Sequence, residues 1–135
     1  MFQKEFAERV SSPPCHRAYG SLSVAVQLYA DVRKGFIVPG HSFHPPTKVA
    51  SQVIELTFHE EPKVHVDDVV FYEKVVRASF LKKRKTIQNS LFACGFFTKE
   101  KVLQALSDAS IDPSRRAETC TLEEFSRLAS ALAAK

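Results

Sequence analysis

Apolar positions along this chain recur first at helical spacing, then in alternation, then at helical spacing again. Lys4 to Val10 reads as a short helix with Phe6 and Val10 on one face, stopped by Ser11-Ser12-Pro13-Pro14. Ahead of it, Met1-Phe2-Gln3 is apolar from the first residue, which is unlike the polar lead-in of most independent domains and suggests a cut through the middle of a fold. Leu22, Val24, Ala25, Val26, Leu28 and Tyr29 form a second helix, apolar around much of its circumference. Asp31 to Val38 predicts a strand ended by Pro39-Gly40, and Val49 to Phe58 alternates as another through Val53, Ile54, Leu56 and Phe58. A helix followed by two neighbouring strands suggests the trailing edge of an α/β sheet, where an antiparallel last strand is common.

From Glu60 onward only helical patterns follow. Glu60-Glu61-Pro62-Lys63 is a polar, proline-containing junction, so the expected boundary divides an α/β part at 1–59 from a small all-α domain at 60–135. Val69, Phe71, Tyr72, Val75, Val76 and Phe80 recur at helical spacing through the first helix of that domain. Ile87, Leu91 and Phe92 suit a second, ended near Gly95, and Lys99 to Ala109 a third with Val102, Leu103 and Leu106. In Thr121-Leu122-Glu123-Glu124 a hydroxyl and a carboxylate are spaced to satisfy free amides reciprocally, opening a last helix with Leu122, Phe125, Leu128 and Leu132 on one stripe.

Composition narrows the picture only slightly. A chain of 135 residues, 44% hydrophobic and 25% charged, has room for one ordinary domain, or a small domain plus part of another, and the means to bury a core. Cys15, Cys94 and Cys120 lie far apart in no C-x-x-C pair, which fits a reducing compartment, and no stretch approaches a membrane span or a secretory leader. The cytoplasm is the expected location. A net charge of +4 and a pI near 9.1 admit an anionic partner, and what matters is where the charge sits.

It sits mainly in Lys82-Lys83-Arg84-Lys85, with Lys74 and Arg77 nearby. Four successive residues on a helix are spread about 100° apart, so they cannot all leave solvent. Such a cluster suits phosphates, whose neutralisation releases counterions, and on charge alone it suits a solvated helix face equally well. The loop from Val38 to Val49 is stiffened by Pro39, Pro45 and Pro46, which makes Phe43 either a flat stacking surface for an unstacked base or a residue packed under the loop. His41 and His44 have no carboxylate or cysteine nearby, and His16 adjoins Cys15 without a second such pair, so no zinc site is expected. There is no G-x-S-x-G. Gly20, Gly35, Gly40 and Gly95 are scattered, and no strand is followed by G-x-G, so a Rossmann-type cofactor site is missing from this chain.

Several blocks, in order, resemble the ribosomal RNA adenine dimethyltransferase family. They are Gln3-Lys4-Glu5, Ala7-Glu8-Arg9 and Ala18-Tyr19-Gly20-Ser21-Leu22-Ser23-Val24. Phe43-His44-Pro45-Pro46-Thr47-Lys48-Val49-Ala50-Ser51 is similar to the family's Phe-x-Pro-Pro-Pro-Lys-Val-Asp-Ser. Phe80-Leu81-Lys82-Lys83-Arg84-Lys85-Thr86-Ile87-Gln88-Asn89-Ser90-Leu91 is similar to Phe-x-Gln-Arg-Arg-Lys-Thr-Leu-Arg-Asn-Ser-Leu, and Ile111-Asp112-Pro113 and Arg116-Ala117-Glu118 follow. The resemblance implies an S-adenosylmethionine-dependent, Rossmann-like domain of seven strands followed by a small helical domain. It implies transfer of methyl groups to the exocyclic amines of two adjacent adenines in small-subunit ribosomal RNA, each adenine leaving its stack to react. By the same resemblance, Phe43 stacks on the target base, Pro45 and Pro46 frame it, and Lys82, Lys83, Arg84, Lys85 and Asn89 lie near ribosomal RNA. Thr47 stands for a proline, Ala50 for an aspartate, Lys82 for a glutamine and Lys83 for an arginine, the last keeping charge but losing a bidentate grip on phosphate.

The family's Gly-rich donor loop and Asn-Leu-Pro-Tyr motif would lie upstream of Met1. The expectation is therefore a truncated dimethyltransferase: trailing strands and helices of a Rossmann-like sheet, then the helical domain. Alone it is expected to bind no S-adenosylmethionine and methylate nothing, with small-subunit ribosomal RNA and the small ribosomal subunit as partners and neither membrane nor metal. Two alternatives stand beside it: a non-catalytic RNA-binding module of the small subunit, and a protein-interaction fragment whose open sheet edge pairs with a complementary N-terminal half.

Overall fold

Residues 2–42, 44–46, 48–82 and 84–133 are described by the computed structural model. Three strands make one antiparallel sheet in the order β1 (Phe2–Gln3), β3 (Ser51–Phe58), β2 (Ala30–Val38). The alternation of Val53, Leu56 and their neighbours finds its strand. The two residues of β1 carry no strand pattern of their own, because alternation cannot show over two positions; they are extended through pairing with Ser51 and Gln52.

Between Lys34 and Ile37 the β2–β3 register slips, three steps on β2 facing two on β3, from Ile54 to Gln52. Gly35 sits in this bulge, where a Cβ would lie 3.0 Å from the Val53 carbonyl oxygen, a tight contact that the neighbouring backbone would have to relieve by a few tenths of an ångström. The buried Gln52 side chain donates from Nε2 to the Gly35 carbonyl at 3.2 Å, satisfying an acceptor the bulge takes out of the ladder. Helix α1 (Lys4–Ser11) lies against the sheet and buries Ala7 and Val10. Phe6, expected on the same face as Val10, is instead exposed, its ring 5.0 Å from that of Phe2.

The main core lies elsewhere, although Val24 and Leu28 of α2 (Ser21–Tyr29) belong to it. With Tyr19 they pack against α3 (Val69–Ser79), α4 (Ile87–Cys94), α5 (Lys99–Asp108) and α6 (Leu122–Ala133) through Tyr72, Val75, Ile87, Leu91, Leu106, Phe125 and Leu128. This cluster draws on residues from both sides of position 60. Each large apolar side chain so buried contributes about 1.5–3 kcal/mol. The helices start where side chains replace missing backbone acceptors: Asp68 accepts from the Phe71 amide, Thr86 from Asn89 and Thr98 from Lys101. α4 ends at Gly95 in the left-handed region, with φ of 75°. Tyr72 Oη donates to the Leu122 carbonyl at 3.1 Å, tying α3 to α6.

Aromatic rings then lock the preceding loop onto this core. Tyr19 stands 6.0 Å from Phe80 edge-on, and Phe80 5.7 Å from Phe125, ring centroid to centroid. The loop of residues 12–20 is thereby fixed relative to the turn after α3.

Candidate nucleic-acid interface

Lys82, Arg84 and Lys85 lie in the tight connection between α3 and α4, where the backbone at Lys82 and Lys85 is held from beneath. The buried Ser90 hydroxyl donates to the Lys82 carbonyl at 3.0 Å and accepts from the Lys82 amide at 3.3 Å. The Lys85 amide closes a turn onto the same carbonyl at 2.9 Å. Thr86 caps α4, and the Ile87 amide donates to the Arg115 carbonyl at 2.7 Å. Most of the first amides of α4 are thus occupied by protein acceptors, and what the connection offers outward is side-chain charge. Lys82, Arg84 and Lys85 are exposed, and none of the three is in an ion pair among the described residues.

Arg84 does not stand alone. It lines an open concavity of about 560 Å³ with Arg17, Arg116, Cys15, Glu118 and Thr119. Arg17 comes from the loop before α2, locked by Tyr19 and by the Cys15 amide donating to the Glu118 carbonyl at 2.7 Å. Arg116 precedes the 3-10 turn Ala117–Thr119, and its Nη1 is 3.9 Å from Glu118 Oε1. Three guanidinium groups against one carboxylate leave a formal excess of two positive charges (3 − 1 = 2) among the described lining residues. Like charges around one concavity repel, and an anion placed among them relieves the repulsion; guanidinium forks match phosphate oxygens two at a time.

The neighbouring Arg115 plays a different part. Its guanidinium turns inward to Glu124 and donates from Nη2 to the Thr119 carbonyl at 2.6 Å, while its own carbonyl accepts from Ile87. The Arg115 hydrogen bond holds the Glu124 carboxyl below the usual carboxylate range. One residue therefore fixes α4, α6 and the turn that carries Arg116.

Residues 1–134 match the model of the ribosomal RNA adenine dimethylase family. The chain belongs to this family. It is 44% identical over 135 residues to ribosomal RNA small subunit methyltransferase A of a Geobacillus species, covering 98% of this chain and 46% of that protein. The protein of the same description from Syntrophotalea carbinolica is 45% identical over 130 residues, 96% of this chain and 48% of the relative. This dimethylase-family chain thus spans about half the length of the curated relatives it matches. Among solved structures, a dimethyladenosine transferase from Plasmodium falciparum superimposes with a TM-score of 0.77 at 25% identity, covering 94% of this chain and 53% of that one. The 23S rRNA methyltransferase ErmE shares the fold, with a TM-score of 0.61 at 23% identity over 96% of this chain and 52% of its own.

Within this dimethylase-family chain, the residues expected to face RNA fall in two places. Lys82, Arg84, Lys85 and Asn89 lie at the α3–α4 connection and the first turn of α4, and Lys83 lies outside the described residues. Pro45 and Pro46 are exposed in the connection between β2 and β3, after the 3-10 turn Gly40–Ser42; Phe43 is outside the described residues. The concavity around Arg84 includes neither proline. Arg17 was not singled out from sequence, and Arg116 only as part of a family block. No local pattern marks either, since their meaning depends on chain segments far apart meeting Arg84. A Cβ added at Gly35 would press on Val53, while one added at Gly20 or Gly95 would meet nothing within 4 Å. Among the described residues no group of three His, Cys, Asp or Glu side chains could hold a metal ion, and no helix is long and apolar enough to cross a membrane.

Proposed function

We propose that this chain is the RNA-gripping part of an S-adenosylmethionine-dependent ribosomal RNA adenine dimethyltransferase, acting on small-subunit ribosomal RNA in the cytoplasm. The observation that carries the reading is the convergence of Arg17, Arg84 and Arg116 beside the exposed Lys82 and Lys85, in a chain of this family. Phosphates of the ribosomal RNA enter the arginine cup, and Lys82, Lys83, Lys85 and Asn89 extend the contact along the strand. Phe43, framed by Pro45 and Pro46, stacks on the adenine once it has left the helix. In this reading residues 1–59 are the end of a Rossmann-like methyltransferase domain and 60–135 a helical domain. The methyl donor and the polar acceptor for the adenine amine are held by other residues, so this chain alone neither binds S-adenosylmethionine nor methylates.

Filter binding to a small-subunit ribosomal RNA fragment at several salt concentrations tests it. Affinity is expected to fall steeply with salt, and Arg84→Ala or Arg116→Ala each to weaken binding and reduce the slope of log affinity against log salt by about 1. A flat salt response, or variants that bind like the parent, overturns the RNA assignment. Calorimetry showing micromolar S-adenosylmethionine binding by this chain overturns the division of labour.

A further inference from the structure

A second surface, on the outer face of α3, is built differently from the arginine cup. Val70, Lys74 and Arg77 follow one another at helical spacing along that face, with Leu81 just beyond the end of the helix, while Tyr72, Val75 and Val76 turn inward. With Phe96, from the turn after α4, they line an open trough of about 580 Å³, and Cys94 lies in its wall. Its apolar members are unusually bare: Val70 is 78% exposed, Phe96 62% and Leu81 53%. Lys74 Nζ sits 4.1 Å from the centre of the Phe96 ring, so a face of that ring is turned toward a cation rather than buried in protein.

We infer that this trough is a stacking subsite for an unpaired nucleotide: a base lies on the Phe96 ring, and Lys74 and Arg77 take the flanking phosphates. The inference rests on the RNA-binding reading above and adds to it a preference for single strands. Charge favours RNA over an acidic peptide, because the trough runs through Leu81 directly into Lys82 and the exposed basic connection, which continues the path a nucleic-acid backbone would follow. Glu73 is the one acid among the described lining residues, against Lys74 and Arg77. Stacking requires a free base face, which a duplex does not offer, and every base has one, so the subsite is indifferent to sequence. Lys74 already marks the π-face; an arriving base takes its place, and the ammonium moves to the phosphate that arrives with it.

The chain's own cysteines report on the two surfaces separately. Cys15 lines the arginine cup, Cys94 lines the trough, and Cys120 is fully buried with its thiol pushed up to about 11 by that burial, so it stays silent. Alkylation rates of each thiol are measured by mass spectrometry with a single-stranded oligoribonucleotide, with an RNA duplex, and with a poly-glutamate peptide carrying phenylalanine. The single strand is expected to slow Cys94 several-fold and the duplex to leave it unchanged, while both slow Cys15. Phe96→Ala, a surface change, should abolish the protection of Cys94 and lower single-strand affinity about tenfold with duplex affinity unchanged. If Cys15 is protected and Cys94 is not, the stacking subsite is refuted and the cup stands. Protection of neither thiol refutes both, and protection of Cys94 by the peptide but not by RNA reassigns the trough to a protein partner.

Discussion

Arg115 and Glu124 clasp each other in a forked ion pair, with Nη2 3.1 Å from Oε1 and Nη1 bound to Oε2. The same carboxylate closes the capping box of α6: Oε1 accepts from the Thr121 amide at 3.1 Å, and Thr121 Oγ1 accepts from the Glu124 amide at 3.2 Å. Its side chain is only 15% exposed, so both tasks are carried out largely away from water.

Glu124→Gln retains an amide oxygen for the cap but removes the charge facing Arg115, and should destabilise the fold by about 2 kcal/mol. The pH dependence has a definite sign. Because Arg115 lowers the folded-state pKa of Glu124 beneath its ordinary value of 4.5, the contribution is complete above that value and is lost as pH falls through the folded-state pKa. Thermal melts of parent and variant should therefore differ most at neutral pH and converge in acid. A constant gap at all pH values would show that the ion pair is not its source.

Ser90→Ala removes the buried hydroxyl under the basic connection and leaves the Lys82 amide without its acceptor. The expected cost is roughly 1–2 kcal/mol in a urea titration. RNA affinity should fall a few-fold while its salt slope stays that of the parent, since no charge is lost. This separates Ser90, which positions the loop, from Arg84, which carries charge.

Gly95→Ala should destabilise by about 1 kcal/mol, measured as a lower urea midpoint with unchanged m-value. A Cβ there meets nothing within 4 Å, so the whole effect comes from φ at 75° and none from crowding. Gly20→Ala, also in open space but at negative φ, serves as the control.

The helical half was legible because its signals are local. The spacing of Val69 to Phe80, the stop at Gly95 and the Thr121–Glu124 box each act within one or two turns, and the matching helices and caps are present. Burial on the sheet was less legible. Phe36 and Phe58 are 69% and 70% exposed although strand patterning alone would turn large apolar residues toward a core. Alternation reveals which residues share a face but not whether anything covers it. The arginine cup was invisible for a related reason: residues 17, 84 and 116 have no mutual spacing, and only the tertiary fold brings them together.

The rings of Tyr19, Phe80 and Phe125 form a short spine from the Arg17 loop, past the turn that leads to Lys82, into α6. Arg17 and Arg84, which line one concavity, are therefore mounted on a shared girder rather than on independent arms. Loosening α6 would scatter the guanidinium groups without removing a single charge, so the grip on a polyanion and the integrity of the helical core disappear in one cooperative step.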